Sequence, residues 1–106
     1  MKAGQGQVWR VNLDPTIGSE IRKTRPAVVV SPDELNAHLN TVVVVPLTSG
    51  RAYPFRIATK VQGKPGVAAV DQVRTIDKQR LVKRIKTLKA GELNPILDAL
   101  VEMFSH

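Results

Sequence analysis

Every apolar segment of this chain is short, and nearly all of them end at a proline, a glycine or a polar loop. That pattern favours brief strands over long helices. Val8 to Leu13 alternates, with Trp9, Val11 and Leu13 on one side and Arg10 and Asn12 between them, which predicts a strand with one face buried. Asp14-Pro15 ends it and a polar loop follows from Thr16 to Thr24. Pro26 to Val30 reads as a second strand, closed by Ser31-Pro32-Asp33. Asp33 to Leu39 fits one or two helical turns with Ser31 or Asp33 as cap. Thr41 to Leu47 is β-branched and continuous, as expected of a strand covered on both faces, and Pro46 within it predicts an edge or a bulge.

Further strands are expected at Tyr53 to Thr59 and Val67 to Val70, around a turn at Gln62 to Gly66. Asp77 to Leu81 fits a helical turn, and periodicity leaves Val82 to Leu88 open between strand and helix. The last segment is the one clear helix. Leu93, Ile96, Leu97, Leu100, Val101 and Phe104 form its apolar stripe, Asn94 can cap it, and Pro95 suits its first position. The 106 residues fit one domain, and five or six strands plus this helix predict a small, strongly twisted β-barrel closed by the helix.

Composition narrows the chemistry. There is no cysteine, so disulfides and thiolate metal sites are excluded and a reducing cytoplasm is expected. The longest apolar run has six residues, Val42 to Leu47, too short to span a membrane. With His38 and His106 as the only imidazoles and nine scattered acids, neither a metal site nor a serine or cysteine triad can be assembled, and no cofactor is expected. The net charge of +7 favours a polyanionic partner. Basic residues gather at Arg22, Lys23 and Arg25, and again from Arg74 to Lys89; each group taken alone is equally consistent with a solvated surface.

What remains is a set of polar residues at strand ends. Glu20, Lys23 and Arg25 adjoin one strand, Thr48 and Ser49 follow another, and Asp71, Gln72 and Arg74 follow a third. Such a set can converge on a phosphate, although an ion pair, a turn and a structural carboxylate are the ordinary alternatives. Trp9 and Phe104 are expected in the core, and Tyr53 is expected to be the exposed aromatic.

The same residues carry a resemblance. Asp14-Pro15-Thr16, Gly18-Ser19-Glu20, Arg25-Pro26-Ala27-Val28-Val29, Val45-Pro46-Leu47-Thr48-Ser49 and Asp71-Gln72-Val73-Arg74-Thr75-Ile76-Asp77 stand in the order and at the distances of the MazF/PemK toxin family, from about Gly6 to Phe104. The resemblance implies an SH3-like barrel of the plasmid-toxin type with a C-terminal helix, a homodimer, and a toxin paired with an antitoxin whose acidic segment occupies the RNA groove. It implies ribosome-independent, metal-independent cleavage of single-stranded RNA that leaves a 2′,3′-cyclic phosphate and a 5′-hydroxyl. It also resolves the open segment into a helical turn near Asp77 to Arg80 and a strand through Ile85. By position, the catalytic arginine falls on Arg25, the catalytic threonine on Thr48 and the loop glutamate on Glu20. Ser19, Lys23, Ser49, Asp71, Gln72 and Arg74 are expected to contact RNA. Some members carry a histidine where this chain has Ser19, so no imidazole base stands there. Two other readings stay open: a gyrase-poisoning toxin on the same fold, whose Trp-Gly-Ile tail is replaced here by Met103-Phe104-Ser105-His106, and a non-catalytic RNA-binding barrel.

Overall fold

The computed structural model describes residues 2–106. Seven strands and two helices follow one another as β1 (Gln7–Asn12), β2 (Thr24–Val29), α1 (Asp33–His38), β3 (Thr41–Thr48), β4 (Arg56–Val61), β5 (Lys64–Ala69), β6 (Arg74–Asp77), β7 (Leu81–Thr87) and α2 (Ala90–Met103). The strands form one antiparallel sheet in the order β4-β5-β3-β2-β1-β7, with β6 added alongside β3. The expected barrel is therefore not closed. β4 and β7 end the sheet without a ladder between them, although the tip of the β4–β5 hairpin curls over towards Ile85 and Lys86 of β7 and leaves a narrow gap of about 110 Å³.

The central strands are apolar on both sides, and this decides their position. Trp9, Val11, Leu13, Ala27, Val29, Val42, Val44 and Ile76 pack on one face. Val8, Val28, Val45, Leu47, Ala68 and Val70 pack on the other, beneath Ile96 and Ala99 of α2. β1 thus buries Trp9 and Val11 on one face, as its alternation suggested, whereas on the other only Val8 is buried, Arg10 being half-buried and Asn12 exposed. At the edge, β7 leaves Val82 and Ile85 partly exposed, which is why its sequence alternates so poorly.

Pro46 lies in the centre of the sheet and not at an edge or a bulge. It sits opposite Ala27 in the β2–β3 ladder. Val30 N donates to Val43 O, so the hydrogen-bonded residues towards β2 are the odd ones, and the nitrogen of Pro46 faces the other flank. There β3 changes partner, from β6 up to Val44 to β5 from Leu47. The missing N–H falls in that handover, where no ladder bond is required.

Both helices start differently from expectation. α1 is capped by Pro32 in an extended conformation, while Ser31 Oγ donates to the buried Asn36 and Asp33 accepts from Gln5 N. α2 begins at Ala90, four residues before Asn94, so Pro95 lies inside it; Glu92 turns back to accept from Lys89 N. The helix stops at Met103, and Phe104, expected in the core, is its 72% exposed cap residue. Val101 also faces away from the sheet, whereas Met103 packs against it. Trp9 is buried as expected, its indole N–H donating to Gln7 Oε1. A helical turn at Lys78–Arg80 leads into β7, in agreement with the resemblance.

Candidate active-site cleft

Strand register brings the two principal residues together. β2 and β3 pair as Ala27↔Pro46, Val28↔Val45 and Val29↔Val44. Continuing that register by two residues sets Arg25 opposite Thr48, where the ladder opens. β1 lies on the other side of β2, with Arg10 opposite Pro26 and Val11 opposite Arg25. The β4–β5 hairpin forms the facing wall. Its two-residue turn, Gln62-Gly63, has positive φ at both positions, the geometry that follows the natural twist of a tight hairpin. Between them opens a cleft of about 340 Å³ with Pro26 and Leu47 in its floor, and Arg10, Thr24, Arg25, Thr48, Ser49, Gln62 and Lys64 around it. Its three charged lining residues are all basic, an arrangement suited to a phosphodiester.

Arg25 is aimed locally. Its Nε donates to the Arg22 carbonyl at 2.8 Å, which fixes the side chain while the outer edge of the guanidinium stays available; among the described residues no carboxylate pairs with it. Thr48 is held through its backbone. It pairs with Val67, and a Cβ placed on Gly66 would lie 2.7 Å from the Thr48 carbonyl oxygen and 2.6 Å from Val61 Cγ2. Only glycine admits that approach, which the reading of Gln62 to Gly66 as a mere turn missed. Gly66→Ala is expected to lose about 1–3 kcal/mol of stability through overpacking and to lower activity by shifting Thr48. A thermal melt and a cleavage assay on the same sample check it.

The other expected site residues lie outside the cleft lining. Ser19, Glu20 and Lys23 sit exposed in the loop between β1 and β2. Glu20 closes a turn there, its Oε1 accepting from Ile17 N at 2.6 Å. Gln72 and Arg74 brace the loop: Gln72 Oε1 accepts from Ile21 N, and Arg74 Nη1 donates to the Leu13 carbonyl at 3.1 Å. Arg80 adds bonds to the carbonyls of Asn12 and Asp14. Three of the seven basic residues from Arg74 to Lys89 thus fasten backbone, Lys78 by donating to the Asn36 carbonyl.

Asp71 is engaged elsewhere. Arg56 grips both its oxygens, Nε to Oδ1 at 2.5 Å and Nη2 to Oδ2 at 2.8 Å, and lies 5.5 Å from the centre of the exposed Tyr53 ring. That hydrogen bond holds the Asp71 carboxyl below its ordinary range and raises the Arg56 guanidinium. A carboxylate depressed in the folded state contributes stability above its unfolded pKa of about 4, and the contribution is lost as pH falls through the folded value. With the Asp71 side chain 41% exposed, solvent screening keeps it below about 1 kcal/mol. Asp71→Asn should therefore be slightly less stable than the parent at neutral pH, with the difference closing in strong acid; urea titrations at both pH values measure it.

Sequence reasoning missed Arg10 and Lys64. Alternation placed Arg10 on the polar side of its strand, but that side is the half-buried wall of the cleft and not open solvent. Among the described residues no three histidine or acidic side chains gather as a metal site, and no helix is long and apolar enough to cross a membrane.

The short-stranded sheet backed by one helix is the fold of MazF-type toxins. The chain belongs to the family described as PemK-like, MazF-like toxin of type II toxin–antitoxin system, whose model matches residues 4–104. It is 37% identical to the endoribonuclease MazF9 of Mycobacterium tuberculosis over 91% of each chain. The crystal structure of MazF from Deinococcus radiodurans superposes with a TM-score of 0.85 at 26% identity, covering 97% of this chain and 96% of that one. A mycobacterial endoribonuclease solved in complex with its cognate antitoxin superposes with a TM-score of 0.77 at 27% identity, covering 93% of this chain and 91% of that one.

Proposed function

We propose that this protein is an endoribonuclease, the toxin of a toxin–antitoxin pair, which cuts single-stranded RNA by attack of the RNA's own 2′-hydroxyl. The observation that carries this reading is the meeting of Arg25 and Thr48 in one open, basic cleft. In the reaction the 2′-oxygen forms a bond to phosphorus and the bond to the 5′-oxygen breaks. One proton leaves the 2′-hydroxyl, another reaches the departing oxygen, and negative charge grows on the phosphoryl oxygens. The guanidinium of Arg25 binds those oxygens and supplies the proton to the departing 5′-oxygen, regaining it from solvent, and the Thr48 hydroxyl donates to a non-bridging oxygen. Glu20 is the proposed proton acceptor: it stands on the loop leading into Arg25, and among the described residues no cation pairs with it. Asp71 suits that role less, because Arg56 occupies both its oxygens. Ser49 shares the cleft, and Ser19, Lys23, Gln72 and Arg74 act on RNA from the loop or through it.

The working unit is proposed to be a cytoplasmic homodimer, restrained by an antitoxin whose acidic segment competes with RNA for the basic cleft. The decisive experiment incubates the purified protein with long single-stranded RNA in EDTA and maps the ends. Discrete products with 2′,3′-cyclic phosphate and 5′-hydroxyl termini are expected at full rate. RNA that is retarded but intact makes the protein a binder, and cleavage that appears only with added magnesium overturns the metal-free scheme.

A further inference from the structure

The cleft holding Arg25 and Thr48 does not end at its floor. Pro26, Leu47, Val61 and Gln62 line it and also line the gap beneath the hairpin tip, so the two depressions form one groove running towards the edge strand β7. Besides Arg25, its charged walls carry Arg10, Lys60, Lys64 and Lys86, with no acidic residue among them. Arg10 is the unusual member. It is half-buried on β1 opposite Pro26, lines the same cleft as Arg25, and its side chain makes no hydrogen bond or ion pair among the described residues. Its guanidinium has no anionic partner, a place a phosphate can take; the residue opposite it on β7, Lys83, is itself basic.

Resting on the nuclease reading, we infer that the RNA strand continues from the Arg25–Thr48 centre through this groove, with Arg10 gripping a phosphate next to the one that is cut and Lys60 and Lys86 following it. Arg10 is then a substrate-binding residue that makes flanking nucleotides count. The apolar Pro26–Leu47 floor accepts the faces of the sugars or bases between those phosphates.

The test uses a synthetic RNA containing one mapped cleavage site, in a short form and in a form extended on both sides, with a 2′-O-methyl copy of the long form for binding because it has no nucleophile to react. Arg10→Met keeps the side-chain stem and removes the charge, Arg10→Lys keeps the charge, and Lys60→Met changes an exposed edge residue that cannot threaten folding. Arg10→Met is expected to lose about tenfold in kcat/KM on the long RNA, carried mainly by KM, and less on the short one. The plot of log kcat/KM against log salt should become shallower by about 0.7 for Arg10→Met and for Lys60→Met, and should keep its slope for Arg10→Lys. Equal losses on both lengths with an unaltered salt slope, or variants indistinguishable from the parent, overturn the groove. If the parent cuts nothing, the nuclease reading fails by itself. Binding of the 2′-O-methyl RNA then still decides the groove, since loss of affinity in Arg10→Met and Lys60→Met supports it and parental affinity refutes it. Weakening confined to an acidic peptide competitor, with RNA affinity intact, likewise refutes it.

Discussion

Arg25→Ala is expected to slow RNA cleavage by about 10²–10³-fold while leaving the melting temperature within a degree or two of the parent. The rate loss follows from where charge develops. As the 2′-oxygen closes on phosphorus, the phosphoryl oxygens gain negative charge, and a donor already aimed at them contributes roughly 3–4 kcal/mol to the barrier. Arg25 is held before substrate arrives, because its Nε is fixed on the Arg22 carbonyl, and it lines a cleft shared with Thr48. The small thermal effect follows from the same geometry. The side chain makes that one hydrogen bond, no carboxylate among the described residues depends on it, and the β2–β3 ladder begins only at Ala27. Single-turnover cleavage and calorimetry on one preparation measure both. Parental cleavage by the variant removes Arg25 from the chemistry, and a large fall in melting temperature makes it a structural residue. Arg25→Lys should recover only part of the rate, since an ammonium lacks the planar pair of donors.

How far the sequence announced this arrangement depends on which forces placed each element. β3 was legible because a β-branched run with no polar interruption can be satisfied only between two packed faces, and Val42, Val44, Val45 and Leu47 are indeed buried on both. The exchange of partners beside Pro46 was not legible, because it depends on where β5 and β6 arrive from further along the chain. The start of α2 misled for a local reason. Pro95 fits a first helical turn, yet the helix starts at Ala90 and makes the proline its sixth residue; the Gly91 carbonyl, which the missing N–H would have met, lies on an exposed turn where water can serve it. At the site, Arg25 and Thr48 were legible through the resemblance and are brought together by register. Arg10 and Gly66 were not, because each matters only through a neighbour on another strand: Pro26 beside the one, the Thr48 carbonyl against the other. Gln72 and Arg74, expected at the RNA, hold the loop that carries Glu20, a function visible only once Ile21 and Leu13 are seen beside them.

Ile96→Ala should give the opposite pairing of effects: a loss of about 2–5 kcal/mol in stability, with cleavage near the parental rate at a temperature where the variant is still folded. Ile96 is fully buried and stands where α2 meets the second face of the sheet, among Val8, Val28, Val45, Ala68 and Val70. Truncation removes the transfer free energy of the lost carbons and leaves a cavity that close-packed β-branched neighbours cannot refill. In a domain of this size, whose whole stability is on the order of 5–15 kcal/mol, the melting temperature should fall by roughly 10–30 °C. Activity survives because the cleft takes its shape from elsewhere. Arg25 is set by the β2 ladder and the Arg22 carbonyl, Thr48 by Val67 and Gly66, and the opposite wall by a two-residue turn, none of which borrows a residue from α2. Urea titration and cleavage kinetics at low temperature separate the two effects. A folded Ile96→Ala variant that has lost its activity would mean that the helix, and not the strand register, holds Arg25 and Thr48 in place.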